Sequence, residues 1–249
     1  QFVGGHVKTP AYWGVSGFPI SHSLTPKIFN IVGDALNLDT TNMIFIEAKN
    51  PEEFKKSIDN LDGDLWISVT SPLKHTLGKI LEISEFEGVN SINQLTRIKG
   101  EWEGTNTDGY GFVNTAKYIG INPQEAILKI KGGGSTARSI AAAWSEAGGK
   151  IIPINGRREL TDGPWDKSII EDCHADIAVD LDTEPGQINN KIMNANMTVT
   201  LSYNEHSKIN EFALIMLVSQ HLEAWDRLFI NNTSSKLPTL DYVLERLFD

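Results

Sequence analysis

The chain has 249 residues, 40% hydrophobic and 22% charged, enough to bury one large core or two modest ones, and nothing in it reads as disordered or fibrous. A net charge of −10 argues against a phosphate-backbone-binding surface, and hence against nucleic acid as a partner. No apolar run approaches the ~20 residues of a bilayer-spanning helix, and Gln1 to Pro10 lack the basic-then-apolar pattern of a secretory signal, so neither a membrane nor a secretory role is expected.

From Tyr12 the chain alternates short β-rich runs with longer helical patterns. Tyr12 to Ser16 reads as a strand, Thr25 to Leu36 as a helix, Met43 to Ile46 as a strand, and a helix opens near Pro51, after Asn50 as cap and ahead of Glu52 and Glu53. Leu65 to Val69 is the next buried strand. Ser91 to Gln94 reads as a further strand, and Thr96 to Ile98 with Glu101 to Glu103 as a hairpin turning at Lys99-Gly100. Such alternation predicts βαβ units and a mostly parallel sheet, with polar loops at strand ends, where open α/β sheets bind ligands.

A helix through Phe112 to Tyr118 leads into a second domain. Ile127 to Lys131 starts a fresh strand, followed by glycines and a helix from Ala137 to Glu146. Strands at Ile151 to Ile154, Ala175 to Val179 and Thr198 to Leu201 complete a compact Rossmann-like half. A helix from Glu211 to about Leu228, with Leu214, Leu217, Val218 and Leu222 at helical spacing, is expected to pack back on the domain junction. The lone cysteine, Cys173, excludes an intrachain disulfide and a multi-thiolate metal site, fits a cytoplasmic location, and is expected to pack in the core.

Gly132-Gly133-Gly134-Ser135-Thr136-Ala137 sits between a strand and a helix. Gly132 and Gly134 suit a tight turn and close approach to a pyrophosphate, and small Ala137 suits helix–strand packing. An ordinary glycine-rich turn is the bland reading, and the flanking strand and helix favour dinucleotide binding over it. Twenty-one residues beyond Gly134 comes Asn155-Gly156-Arg157-Arg158, with no acid for a ribose diol and two guanidinium groups that suit the 2′-phosphate of NADP; a solvated turn is the competing reading.

The first half carries hydroxyls, an ammonium and a carboxylate. Ser21 and Ser23, two apart in an extended run, point the same way and suit a carboxylate, unless they merely cap the following helix. Thr70 and Lys74 flank Pro72, and the Lys74 ammonium suits a developing alkoxide. Asn93 at a strand end and Asp108 in a turn ahead of a helix suit substrate hydroxyls, with Asp108 able to orient Lys74 or simply to cap the helix.

These segments resemble those of shikimate dehydrogenases, in the shikimate/quinate dehydrogenase family. Gly17 to Pro26 looks like Gly-x-Pro-Ile-x-His-Ser-x-Ser-Pro, with Thr25 for the last serine. Ser68 to Lys74 is similar to Asn-Val-Thr-x-Pro-x-Lys, with Ser68 for a substrate-binding asparagine. Ser91 to Gln94 resembles Ala-Val-Asn-Thr, Asn106 to Gly109 keeps Asn-Thr-Asp-Gly, and Met216 to Gln220 looks like Met-Leu-x-x-Gln. Asp180-Leu181-Asp182-Thr183 stands where the family has Asn-Ala-Thr-Pro, and Thr200 to Glu205 where it has Asp-x-x-Tyr-x-Pro.

The resemblance implies a substrate domain over 10–110, an NADP domain over 111–215, and C-terminal helices over 216–249 returning to the substrate domain. It implies NADP-dependent, metal-free, reversible reduction of 3-dehydroshikimate to shikimate, a step of aromatic amino-acid biosynthesis. Lys74 and Asp108 are then catalytic, and Ser21, Ser23, Thr70, Asn93, Gln220 and Tyr203 hold substrate. Gly132 to Ala137, Asn155, Arg157 and Arg158 hold cofactor. The partner is the small-molecule substrate, with a homodimer an open option. Quinate or dual shikimate/quinate activity, a ligand sensor without turnover, and, last, another Rossmann reductase are the rival readings.

Overall fold

In the computed structural model, residues 9–83, 88–182, 193–203, 208, 211–230 and 236–248 are described. The chain divides into two units: Gln1–Phe86, Asn90–Thr107 and His221–Asp249 make the first, Glu87–Val89 and Asp108–Gln220 the second.

In the first unit, strands β1 (Tyr12–Gly17), β2 (Met43–Glu47), β3 (Leu65–Val69), β4 (Gln94–Ile98) and β5 (Glu101–Thr105) form one sheet in the order β2-β1-β3-β4-β5. β1 runs parallel to β2 and β3, whereas β3–β4 and β4–β5 are antiparallel, so the sheet is mixed. Helices α1 (Thr25–Ala35) and α2 (Pro51–Ile58) are the crossovers that parallel pairing requires. β4 and β5 need only Lys99 and Gly100, whose φ angles of 52° and 87° are the left-handed pair of a type I′ turn. The start of α2 is held as its sequence suggests: Glu53 N donates to Asn50 Oδ1 at 2.9 Å, and Lys49 N donates to Glu53 Oε2 at 2.8 Å. A cap of this kind stabilises a helix by about 1 kcal/mol.

Ser91 to Asn93 is connecting chain rather than strand, reached after the short helix α3 (Leu77–Ile80). Every residue of β3 is buried, as a central strand covered on both faces must be. On β1, β3 and α1, Trp13, Trp66 and Phe29 meet Trp225, the last residue of helix α6 (Phe212–Trp225); Trp225 lies 5.2 Å from Trp13 and 4.7 Å from Trp66, between ring centroids. The indole N–H of Trp66 and the Ser68 hydroxyl both donate to Gln94 Oε1, at 3.0 and 2.8 Å. Helix α7 (Leu240–Leu247) ends on α1, where Lys27 Nζ donates to Leu247 O at 2.7 Å.

The second unit holds a wholly parallel sheet, β7-β6-β8-β9, of β6 (Ile127–Lys131), β7 (Lys150–Ile154), β8 (Ala175–Asp180) and β9 (Ala195–Val199). β9 starts three residues before the expected Thr198 and stops at Val199. Helices α4 (Asp108–Tyr118) and α5 (Ser135–Glu146) lie together, and Phe112, Leu128, Ile130, Ile140, Trp144 and Ile177 are fully buried in the core they help to build. Cys173 is exposed, against the expectation of core packing. It lies just ahead of β8, and its carbonyl accepts from buried Lys129 Nζ at 2.9 Å. Among the described residues, no helix is long and apolar enough to cross a membrane.

Candidate active site

In the first unit, the loops after β1 and β3 are sewn together at the C-terminal end of the parallel strands. Phe18 N donates to Ser71 O at 2.9 Å and Thr70 N to Ser16 O at 2.8 Å. Gly17, with φ of 151°, permits this approach, since a Cβ there would fall 2.3 Å from Thr70 Cγ2 and 2.7 Å from Ser71 O. The segment bearing Ser21 and Ser23 is thereby joined to the segment bearing Thr70 and Lys74. Ser21 and His22 lie in a turn rather than an extended run, because Ser23 N bonds back to Ile20 O at 3.0 Å. Ser21 is exposed, while half-buried Ser23 accepts at Oγ from Thr25 N at 3.3 Å. Thr70 and Lys74 are half-buried, available to a ligand yet partly shielded from water.

Asn93 belongs to the same strand ends. Its carbonyl accepts from Val69 N at 2.7 Å, and the neighbouring Ile92 N donates to Lys74 O at 2.7 Å. Its side chain is 3% exposed, and Oδ1 accepts from Thr107 N at 2.8 Å. Asn106 is likewise fixed, its Nδ2 donating to Ser91 Oγ at 2.6 Å. The two asparagines thus knit the 91–93 and 106–107 segments together.

In the second unit, Gly132 has φ of 103°, a conformation L side chains rarely adopt, and turns the chain off β6. Gly134 is the N-cap of α5 and makes no side-chain cap; a Cβ placed on it would meet nothing within 4 Å. The space beside the Gly134 backbone is therefore open, and the first-turn N–H groups of a twelve-residue helix follow it, an arrangement that suits an anionic ligand such as a pyrophosphate. Gly133 is needed for another reason: its Cβ would fall 1.8 Å from Glu159 O, so the segment after β7 rests on it.

Asp108 is the first residue of α4, not part of a turn before it, and is 6% exposed. Its Oδ2 accepts from Thr136 Oγ1 at 3.3 Å, which links it to the glycine turn. Gly109 N donates to Ser139 Oγ at 2.8 Å, and α5 approaches so closely that a Cβ on Gly109 would stand 2.0 Å from Ser139 O. Gln220, 7% exposed, packs against Gly111 one turn along α4 from Asp108. Half-buried Tyr203 follows the end of β9. Thr183, Asn204 and Glu205 lie outside the described residues.

Asn155, Arg157 and Arg158 are exposed beyond β7. Arg157 is already engaged: its backbone N donates to Asp182 Oδ2 at 2.7 Å and its Nη2 to Asp182 O at 2.8 Å. The sequence reading missed Arg138, on the first turn of α5, which donates from Nε to Val89 O at 2.9 Å and from Nη1 to Gly133 O at 3.3 Å. Burial, and then the like charge of Arg158, lower its pKa from the usual guanidinium value. A cation directly after the glycine turn was the available signal. The Arg157–Asp182 contact had none, since its members lie on loops after different strands.

No protein-family model matches the chain. Among curated proteins, it is 35% identical over 149 residues to the NADP(+) shikimate dehydrogenase of Gloeothece citriformis, covering 58% of this chain and 51% of that one. It is 33% identical over 147 residues to that of Alkaliphilus metalliredigens, with the same two coverages. The matched stretch thus spans about half the length of these relatives. Among solved structures, shikimate dehydrogenase 1 from Peptoclostridium difficile superposes with a TM-score of 0.72 at 19% identity, over 95% of this chain and 97% of that one. The Thermus thermophilus enzyme, solved with NADP(H) and shikimate, gives 0.70 at 19% identity, over 95% and 98%. At such identities, the structural likeness is one of fold.

Proposed function

We propose that this chain is a member of the shikimate dehydrogenase family and catalyses the NADP-dependent, reversible reduction of 3-dehydroshikimate to shikimate. The observation that supports the reading is the backbone bonding between the loops after β1 and β3, Phe18 N to Ser71 O and Thr70 N to Ser16 O, since these loops carry Ser21, Ser23, Thr70 and Lys74. Hydroxyls beside one ammonium suit a polyhydroxylated carboxylic acid. The glycine turn leading into α5, with open space beside Gly134, supports a dinucleotide in the second unit.

In this reading Ser21 and Ser23 bind the substrate carboxylate, and Thr70, Asn93 and Gln220 hold ring hydroxyls, with Tyr203 a further substrate contact. NADP, when bound, supplies the two-electron hydride chemistry. As hydride reaches the carbonyl carbon, negative charge grows on its oxygen; the Lys74 ammonium stabilises that charge and gives the proton. In the reverse direction the Lys74 amine takes the hydroxyl proton as the C–H bond breaks. Asp108 fixes a substrate hydroxyl and takes part in proton handling.

The test is NADPH formation from shikimate and NADP+, run beside quinate and NAD+ in every pairing. Turnover chiefly with shikimate and NADP+ is expected. Turnover chiefly with quinate would move the reading to a quinate enzyme, and shikimate binding without turnover in any pairing would make the chain a ligand sensor.

A further inference from the structure

In the parallel sheet, the connection leaving β6 runs to β7 on one side, and the chain returns past β6 to reach β8 on the other. The C-terminal ends of β6 and β8 therefore flank the switch point at which open α/β sheets take their ligands. Two ion pairs, Lys131–Asp180 and Arg157–Asp182, lie there. Lys131 ends β6 opposite Asp180 on β8, and Lys131 Nζ donates to Asp180 Oδ2 at 2.9 Å. Asp182 N donates to Asp180 Oδ1 at 2.9 Å, so the acidic segment is anchored from beneath. A Cβ on Gly132 would lie 3.6 Å from Asp182 N and 3.7 Å from Asp182 Cβ; the segment skirts the glycine turn itself.

From that position Asp182 reaches over to the segment after β7. Its Oδ2 accepts from Arg157 N at 2.7 Å, its Oδ1 lies 3.5 Å from Arg157 Nε, and its carbonyl accepts from Arg157 Nη2 at 2.8 Å. Gly156 leaves room for the crossing, since a Cβ there would stand 2.7 Å from Asp182 Oδ2. The carboxylate is 12% exposed and the guanidinium side chain 59% exposed, so the acid is fixed and the cation can still be approached from solvent.

We propose that Asp182 is a specificity-determining residue for the nucleotide, holding Arg157 as an internal counter-ion at the switch point and so narrowing the advantage of a 2′-phosphate over a free ribose diol. This rests on the reading of the second unit as a dinucleotide site. A 2′-phosphate gains the Arg157 guanidinium only by competing with a carboxylate already on it, and it meets that carboxylate's charge as it does so. A ribose diol carries no charge and can donate to the same carboxylate. Asp182→Asn keeps an oxygen for Arg157 N and removes the charge, which isolates the electrostatic part.

The experiment is calorimetric titration of the full chain with NADP+ and with NAD+, without substrate, for the wild type, Asp182→Asn, Arg157→Ala and the double variant, with circular dichroism to check folding. The ratio of the NAD+ to the NADP+ dissociation constant is expected to rise about tenfold in Asp182→Asn, the size of one removed charge near a partly exposed phosphate. The same substitution in the Arg157→Ala background should leave the ratio within about twofold, because the cation through which it acts is gone. An unchanged ratio in Asp182→Asn, or an equal rise in both backgrounds, overturns the proposal. Should Asp182→Asn not fold, Asp182→Ser is read by the same ratio. If the wild type binds neither dinucleotide, the nucleotide reading itself falls; if it binds both and the ratio does not move, only the role of Asp182 falls.

Discussion

Gln220 rests on the bare backbone of Gly111: a Cβ at position 111 would stand 2.6 Å from Gln220 Cβ and 2.9 Å from Gln220 N. Helices α4 and α6 approach this closely only because α4 has no side chain there, and Gln220 takes its position from that approach. Gly111→Ala should therefore destabilise the protein by about 1–3 kcal/mol through overpacking, and raise the KM for shikimate more than it lowers kcat. Thermal melts and steady-state kinetics check both parts. A variant with wild-type melting and wild-type KM would remove Gln220 from the substrate contacts or show that α6 yields freely.

Lys74 is assigned the charge that appears only during hydride transfer. Lys74→Ala should lower kcat by about 10²–10³ while KM for shikimate moves only a few-fold, since an interaction made chiefly in the transition state is lost. Undiminished turnover would take Lys74 out of the mechanism.

Asn93 has a structural duty beside its proposed contact with substrate. Asn93→Ala leaves the buried Thr107 N–H, now 2.8 Å from Asn93 Oδ1, without that acceptor, at a cost of about 1–3 kcal/mol. Denaturant unfolding should show a lower midpoint at unchanged slope. An unaltered midpoint would mean that the 106–107 segment finds its acceptor elsewhere.

His174 is expected to respond to pH. Its pKa is raised from the ordinary value of 6.5, first by Asn194 and then by Asn196, whose side-chain oxygens lie 2.7 Å from its two ring nitrogens and favour the doubly protonated ring. The stabilising contribution is thus fully present below pH 6.5 and fades as pH rises through the higher folded-state value. An NMR titration of the His174 ring should give a midpoint above 6.5 that falls in Asn196→Ala. A midpoint that does not respond would assign no role to the amide.

Legibility in the sequence followed the range of the interactions. β3 keeps its expected bounds because the run Leu65 to Val69, apolar except for Ser68, marks a buried strand without reference to its partners. The Lys99-Gly100 turn and the Asn50 cap are complete within a few residues, and both stand as read. β9 was displaced because its pairing partner β8, not its own pattern, decides where it begins: Ala195 bonds into register with Ala175 although Asn196 beside it has no strand preference. The Ser21–Ser23 geometry was misjudged because a backbone bond to Ile20 overrides an extended alternation. For the candidate site, the engagement of Arg157 by Asp182 and of Asp108 by Thr136 is not readable in the sequence. Those pairs are set by sheet order and helix packing, which local spacing does not encode.

The aromatic cluster of the first unit has a consequence for biogenesis. Trp13 and Trp66 leave the ribosome early, but Trp225, which touches both, emerges only after the whole of the second unit has been made. The second unit, nearly contiguous in the chain, can close its core while synthesis is still under way. The first unit must wait, with two large indoles short of their partner, until Trp225 has emerged. Nascent chains halted before residue 221 should accordingly present those indoles to chaperones, and the order of assembly runs opposite to the order of translation.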